Sequence, residues 1–205
     1  GIMLAAAILG LILPSLEYGG ELALLITIIG IFSGAALMKS LDVLVPHMHV
    51  PSAQGREDGK MDKIMLFILA IAIHNLPEGI AAGVGFGSGD TAAGIFIALG
   101  IAIQNIPEGM IVIAPMLSAG IAPKRALSVA LATGLVEVVG TFIGYYAVTL
   151  ARVILPFSLA FAGGTMLYVA SHDMIPETHS HGNERAATYS LLCGFSLMLI
   201  FSTVL

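Results

Sequence analysis

The chain has 205 residues, of which 58% are hydrophobic and only 10% are charged, and its mean hydropathy is +0.99. A soluble domain has about 25% charged residues, so this composition excludes a water-soluble fold and indicates an integral membrane protein. The formal net charge of −5 says little about partners, and nothing in the sequence resembles a basic nucleic-acid-binding surface. A single cysteine, Cys193, excludes an intrachain disulfide bond and a multi-cysteine metal cluster.

Seven apolar segments follow one another, most of them about as long as the roughly 20 residues that cross a bilayer as a helix. They span residues 1–16, 22–41, 63–87, 91–117, 125–150, 157–177 and 186–205. The segments are too long for barrel strands and lack their alternating pattern. The sequence therefore predicts an all-α fold, a polytopic transmembrane helical bundle that forms one domain over residues 1–205. We expect the short first segment to be the remainder of a longer helix.

The basic residues lie almost entirely on one side of this predicted bundle. That side receives seven of the eight: Lys39, Arg56, Lys60, Lys63, Lys124, Arg125 and Arg185. The other side receives Arg152. By the positive-inside rule, the loops 42–62, 118–124 and 178–185 are expected in the cytoplasm, and the C-terminal Leu205 outside.

Two histidine pairs lie on the predicted cytoplasmic side. The loop 42–62 contains His47 and His49, and the second pair is His179 and His181. Two interpretations stay open. The histidines are ordinary residues of solvated loops, or they capture metal weakly where ions leave the protein, since imidazole binds transition metals.

One short motif occurs twice, in the third and fourth segments. The first copy is His74-Asn75-Leu76-Pro77-Glu78-Gly79, and the second, 30 positions later, is Gln104-Asn105-Ile106-Pro107-Glu108-Gly109. In each copy the first residue and the glutamate, Glu78 or Glu108, are four apart and share one helical face. Carboxylates inside membrane-spanning segments are costly and usually mark an ion or substrate path.

Pro77 and Pro107 interrupt the backbone hydrogen bonding of these two helices. Because proline lacks an N–H group, the carbonyls of Ile73 and Ile103 lose their normal partner. Freed carbonyls are tolerated in a membrane where a neighbouring helix, water or an ion satisfies them. The two segments are joined by a short loop and must be antiparallel, so we expect the two copies to meet near the midplane, as in inverted-repeat transporters.

Glu137 is a third carboxylate, alone in the fifth segment and followed by Gly140 and Gly144 at a spacing that permits close helix packing. Three carboxylates at low dielectric repel one another unless protons or cations neutralise them. No Lys or Arg lies in the cores of segments three to five, so one or two divalent ions are expected. Imidazole, carboxylate and amide ligands without thiolate suit Zn²⁺, Fe²⁺, Mn²⁺ or Cd²⁺.

The sixth segment ends with a looser version of the motif, which runs from Ser171 to Glu177. Two interpretations stay open here as well. The residues form a polar cluster at a helix end, where charge is tolerated, or they form an exit-side relay. The relay would accept metal or protons from the central site through His172, Asp173 and Glu177.

The paired motif, together with Glu137, resembles the signature of the ZIP (Zrt- and Irt-like) metal-ion transporters, in a bacterial-type branch. The resemblance covers essentially the whole chain. It implies eight transmembrane helices, of which this chain has the second to the eighth, and it implies that dimers occur. It also implies uptake of divalent transition metals, zinc above all but also iron, manganese and cadmium, across a bacterial inner membrane into the cytoplasm.

The resemblance further implies a site for two ions, bridged by two shared glutamates. One ion would be held by His74, Glu78, Gln104 and Glu108. The other would be held by Asn75, Glu78, Asn105, Glu108 and Glu137. Some relatives have aspartate where this chain has Asn105, so the second ion is expected to bind more weakly.

Two alternative functions compete with metal uptake. A proton- or sodium-coupled cation exchanger also uses inverted repeats with carboxylates, and the sequence leaves the coupling ion open. An intramembrane metal enzyme is disfavoured, because neither a His-Glu-x-x-His protease motif nor the Glu-x-x-His pairs of di-iron bundles occur. We therefore expect a transporter and not an enzyme.

Overall fold

A computed structural model describes residues 1–44, 60–180 and 182–204. Within these ranges the backbone forms helices joined by short turns, and no β-strand occurs in them. The helices are α1 (Ile2–Tyr18), α2 (Ala23–Leu44), α3 (Lys60–Gly87), α4 (Thr91–Ser118), α5 (Pro123–Leu150), α6 (Arg152–His179) and α7 (Glu184–Val204). Six of them are long and apolar enough to cross a membrane, and α1 is a shorter apolar helix. The expected all-α membrane bundle is thus confirmed.

Local sequence signals account for the helix boundaries. Asp90 precedes α4, and its carboxylate accepts a hydrogen bond from the backbone N–H of Ala93 at 3.1 Å, which caps the helix. α5 begins at Pro123, where the missing N–H has no intrahelical partner to lose. Between them Gly120 adopts a φ of +79°, a conformation that is strained for residues with a Cβ atom. Turns this short make consecutive helices antiparallel.

The prolines of the paired motif lie inside helices that continue past them. α3 remains helical through Pro77, and α4 remains helical through Pro107 and a further proline, Pro115. Each proline still leaves one carbonyl of the preceding turn without its N–H donor. The motif is therefore carried on helices that are locally weakened but not interrupted.

Two helix pairs pack with their backbones in close contact. α2 lies against α6, where a Cβ atom added at Gly34 would lie 2.2 Å from the carbonyl oxygen of Phe161. α3 lies against α5 in the same way, through glycines on both helices. Small residues permit such approach, which is how helices associate in lipid. α4 packs on the α3–α5 pair, whereas α1 joins α6 to α4 and α7.

The core lies between α1, α3, α4 and α6, and α6 is the most buried of the six spans. The fully buried side chains of this core include Leu11, Ile97 and Met166. A buried hydroxyl joins three helices, because Ser15 of α1 donates to the carbonyl oxygen of Pro156 at 2.7 Å and pairs with Thr27 at 2.8 Å. This core holds α3 and α4 side by side, with the two motif copies facing each other.

Candidate metal centre

The two copies of the motif meet directly through Glu78 and Gln104. The Gln104 amide Nε2 donates a hydrogen bond of 2.9 Å to Oε1 of Glu78, and both side chains are buried. The contact joins α3 to α4 at the level of their prolines. It confirms the expectation that the copies lie opposite each other.

A second contact joins α4 to α5. The Asn105 amide Nδ2 donates to both carboxylate oxygens of Glu137, at 2.8 and 2.7 Å. Asn75 of α3 reaches α5 as well, because its Nδ2 donates to the backbone carbonyl of Thr133 at 3.1 Å. Three helices thus contribute polar side chains to one small region, which lies among apolar residues.

Several oxygen atoms in this region are buried and accept no hydrogen bond from the described residues. They are Oδ1 of Asn75, Oε2 of Glu78 and Oδ1 of Asn105. A buried acceptor without a partner costs roughly 1–3 kcal/mol. All three are amide or carboxylate oxygens, which are good ligands for divalent cations. A bound cation would therefore give each of these oxygens a partner, whereas a further apolar side chain would not.

Glu108 completes the acidic set at the edge of this region. Its side chain is half-buried and interacts with Gln104, and its charge repels that of Glu78. In the part of the chain that the structure describes, no three His, Cys, Asp or Glu side chains are arranged to hold a metal ion by themselves. Any ion bound here therefore needs the amide oxygens of the motif in addition to its carboxylates.

Two cavities meet at Asn105 and Glu137. One, of about 380 Å³, extends toward the α4–α5 turn and is lined by Glu108, Val112 and Ala130 among others. The other, of about 220 Å³, extends along α3, α4 and α5 toward the α3–α4 turn. Both volumes are open to the surface, because exposed side chains such as Ile106 and Val138 lie in their walls, so Asn105 and Glu137 lie where two open grooves meet.

His74 contacts an acidic residue outside the motif. Its Nε2 lies 3.4 Å from Oδ1 of Asp42, at the end of α2. This contact between Asp42 and His74 connects helix α2, which packs on α6, to helix α3. Of the residues expected to hold the first ion, Glu78, Gln104 and Glu108 therefore lie together. His74, the fourth, faces the carboxylate of Asp42 instead.

The residues of the expected exit-side relay lie at the end of α6. His172 and Asp173 lie in a π-helical turn, Ala170–Met174, a feature that is frequent at functional sites. The ring of His172 lies 5.0 Å from that of Tyr168, and Glu177 is exposed on the following turn.

The four loop histidines are only partly described. His179 contacts the carbonyl oxygen of Ile175 through Nδ1 at 2.9 Å and the hydroxyl of Thr188 through Nε2 at 3.2 Å. It therefore joins the end of α6 to α7. His47, His49 and His181 lie outside the described residues.

Sequence reasoning missed Asp42 and Thr133. Asp42 was included in the 42–62 loop, although it is an acidic residue flanked by apolar ones and lies within α2. Thr133 precedes Glu137 by four positions, so the two share a face of α5, and this spacing could have indicated it. Its contribution is a backbone carbonyl, which no side-chain motif reveals.

Comparisons with known proteins identify the family of this chain. The family model described as ZIP Zinc transporter matches residues 53–202. The zinc transporter GufA of Myxococcus xanthus is 41% identical, over 93% of this chain and 78% of its own length. The zinc transporter ZIPB of Bordetella bronchiseptica is 40% identical, over 100% and 69%. The zinc transporter ZupT of Corynebacterium glutamicum is 36% identical, over 90% and 73%. The expected family is confirmed, and this chain belongs to the ZIP zinc transporters.

Proposed function

We propose that this protein carries divalent transition-metal ions, zinc above all, across a membrane. One observation carries the proposal: buried carboxylate and amide oxygens converge from α3, α4 and α5, and three of them accept no hydrogen bond from the described residues. Protons or cations must neutralise such carboxylates inside a membrane bundle, and the oxygen ligands present here suit a divalent cation. The relatives named zinc transporters support zinc as the main substrate, and membership of a transporter family agrees with a function that is not enzymatic.

The site is proposed to hold two ions. One would take Glu78, Gln104 and Glu108, with His74 as a further ligand that keeps its contact with Asp42. The other would take Asn75, Asn105 and Glu137, with the two glutamates of the motif bridging the ions. The hydrogen bonds from Asn105 to Glu137 would then be exchanged for metal–oxygen bonds. Iron, manganese and cadmium accept the same ligand types and are proposed as further substrates.

Transport is proposed to run from the outer side to the cytoplasm of a bacterial inner membrane, with the C-terminus outside. The excess of Lys and Arg on the side of the α4–α5 turn supports this orientation. The cavity of about 380 Å³ then lies on the cytoplasmic side of Glu137, and the smaller one lies on the outer side. Ions would pass from the smaller cavity to the larger one.

Zinc uptake into lipid vesicles that contain the purified protein tests this function. Glu78→Gln replaces a metal ligand by an amide of the same size, and Glu108→Ala removes the second bridging carboxylate. We expect both to lower the uptake rate at least about a hundredfold, because the ions lose their bridging charge. Glu17→Gln is the matched control, since Glu17 is exposed at the end of α1, and it should retain full uptake.

The same vesicles give the outcome that would refute the proposal. Wild-type rates in both Glu78→Gln and Glu108→Ala, with each variant folded and inserted to the same extent, would show that zinc does not pass between these glutamates.

A further inference from the structure

The contact between α3 and α5 is closed by glycines on both helices. A Cβ atom added at Gly79 would lie 2.1 Å from the carbonyl oxygen of Glu137, and one added at Gly83 would lie 2.1 Å from that of Thr141. On α5, a Cβ atom at Gly140 would lie 2.4 Å from the carbonyl oxygen of Leu76. Real Cβ atoms essentially never approach other atoms below 3.0 Å, so at Gly79 the backbones would have to separate by about 0.9 Å.

These glycines form two layers. The first layer, Gly79 and Gly140, lies beside the candidate metal centre, since Gly79 follows Glu78 and faces the backbone of Glu137. The second layer, Gly83 and Gly144, lies one helical turn away. Gly83 faces Thr141, and Gly144 would meet the carbonyl oxygen of Ile80 at 2.3 Å. An added Cβ atom would clash to nearly the same extent in both layers, but only the first layer lies beside the candidate metal centre.

The contact between α3 and α5 fixes the position of the α3 ligands relative to α5. Glu78 and Asn75 are only 4% and 3% exposed, and each has one side-chain oxygen that accepts no hydrogen bond from the described residues. Asn75 is fixed to α5 by its hydrogen bond to the carbonyl of Thr133. The distance from these oxygens to the Glu137 carboxylate therefore follows the distance between the two helix backbones.

We propose that Gly79 and Gly140 are positioning residues that set the gap between the α3 ligands and Glu137, and thereby the size of the divalent ion that this gap accepts. The inference rests on the proposed metal transport. Zinc binds oxygen ligands at about 2.0–2.2 Å, and a functional site tolerates deviations of only about 0.2 Å. A separation of about 0.9 Å exceeds this tolerance. A wider gap disfavours Zn²⁺ more than the larger Cd²⁺.

Four alanine variants test the inference, two in each layer. Binding of ZnCl₂ and CdCl₂ to the purified protein, uptake of both metals into vesicles, and the unfolding temperature are measured for all of them. Gly79→Ala and Gly140→Ala are expected to weaken zinc binding tenfold or more and to raise the ratio of cadmium to zinc affinity at least threefold. Gly83→Ala and Gly144→Ala are expected to lower the unfolding temperature to a similar extent and to leave that ratio unchanged.

The outcomes separate this inference from the function on which it rests. If wild-type protein takes up zinc and all four variants share the wild-type metal ratio, or all four shift it equally, the glycines act on packing alone and the inference is wrong. If Gly79→Ala does not fold, Gly140→Ala and Gly144→Ala decide, because their clashes of 2.4 and 2.3 Å are closely matched. If the wild-type protein binds and moves neither metal, the proposed function fails and this inference fails with it.

Discussion

Asn105 shows how a single residue can determine the strength of an ion site. Its amide donates to both oxygens of Glu137, so it stabilises that carboxylate without an ion, while its own Oδ1 accepts no hydrogen bond from the described residues. An amide holds the carboxylate in place but adds no negative charge. The second ion is therefore expected to bind more weakly here than it would beside an aspartate.

Asn105→Asp tests this expectation. The substitution exchanges a hydrogen-bond donor for a second carboxylate, which repels Glu137 until a cation binds between them. We expect zinc to bind this second site at least about tenfold more tightly, equivalent to about 1.4 kcal/mol, as measured by equilibrium dialysis with metal analysis. Asn183→Asp adds the same charge at an exposed position and is the control. Unchanged or weaker binding in Asn105→Asp would contradict the role assigned to this residue.

At the scale of helices, the contact between Asp42 and His74 is the polar connection from α2 to the candidate metal centre. A carboxylate that holds an imidazole fixes the ring's orientation and raises its basicity, and loss of such a partner typically costs 10–100-fold in metal affinity. The two helix pairs of the bundle are thus coupled at one of the expected ligands.

Asp42→Ala is expected to weaken zinc binding about tenfold, because His74 loses the group that orients it. The measurement is a zinc titration of the purified protein. Asp90→Ala removes the cap of α4 instead, so it controls for a simple loss of stability. If the two variants have the same zinc affinity, Asp42 does not act through His74.

The prolines of α4 permit a matched comparison within one helix. Pro107→Ala supplies the missing N–H donor to the carbonyl of Ile103 and is expected to stabilise the helix by up to about 3 kcal/mol. Because the local freedom of the motif is lost, zinc uptake should fall while the unfolding temperature rises. Pro115→Ala removes a proline outside the motif of the same helix and should raise the unfolding temperature with unchanged uptake. Full uptake in Pro107→Ala would show that the proline is not needed for transport.

At the scale of the whole molecule, the two ends of α4 can report the proposed orientation of the bundle in the membrane. The two ends of α4 are exposed at Thr91 and Ser118, which lie on opposite sides of the membrane if the helix spans it. The proposed orientation places Thr91 outside and Ser118 in the cytoplasm. Both positions tolerate a small polar side chain.

Cysteine labelling checks this orientation. In a background with Cys193→Ser, a membrane-impermeant thiol reagent added to intact cells should modify Thr91→Cys and leave Ser118→Cys unmodified. Both should react after the membrane is permeabilised, which controls for accessibility. The reverse pattern would place the α4–α5 turn outside and would contradict the proposed orientation.

The sequence by itself determined the number, order and approximate bounds of the helices, the facing of the two motif copies and the family. Long apolar runs in lipid have few alternatives to a helix, and a carboxylate within such a run is costly enough to indicate a site. Glu78, Glu108 and Glu137 were predicted on this basis, and Asn105 followed from the family resemblance. The structure places them on neighbouring helices that meet.

Only the tertiary structure decided which side chains pair. The contacts of Asp42 with His74, of Asn105 with Glu137 and of Asn75 with the Thr133 carbonyl depend on the rotation of each helix about its axis. In a membrane the lipid-facing and the protein-facing sides of a helix are similarly apolar, so hydrophobic periodicity does not determine that rotation. For α3 and α5, the close glycine contacts between them limit this rotation, and they become visible only when the two backbones are placed together.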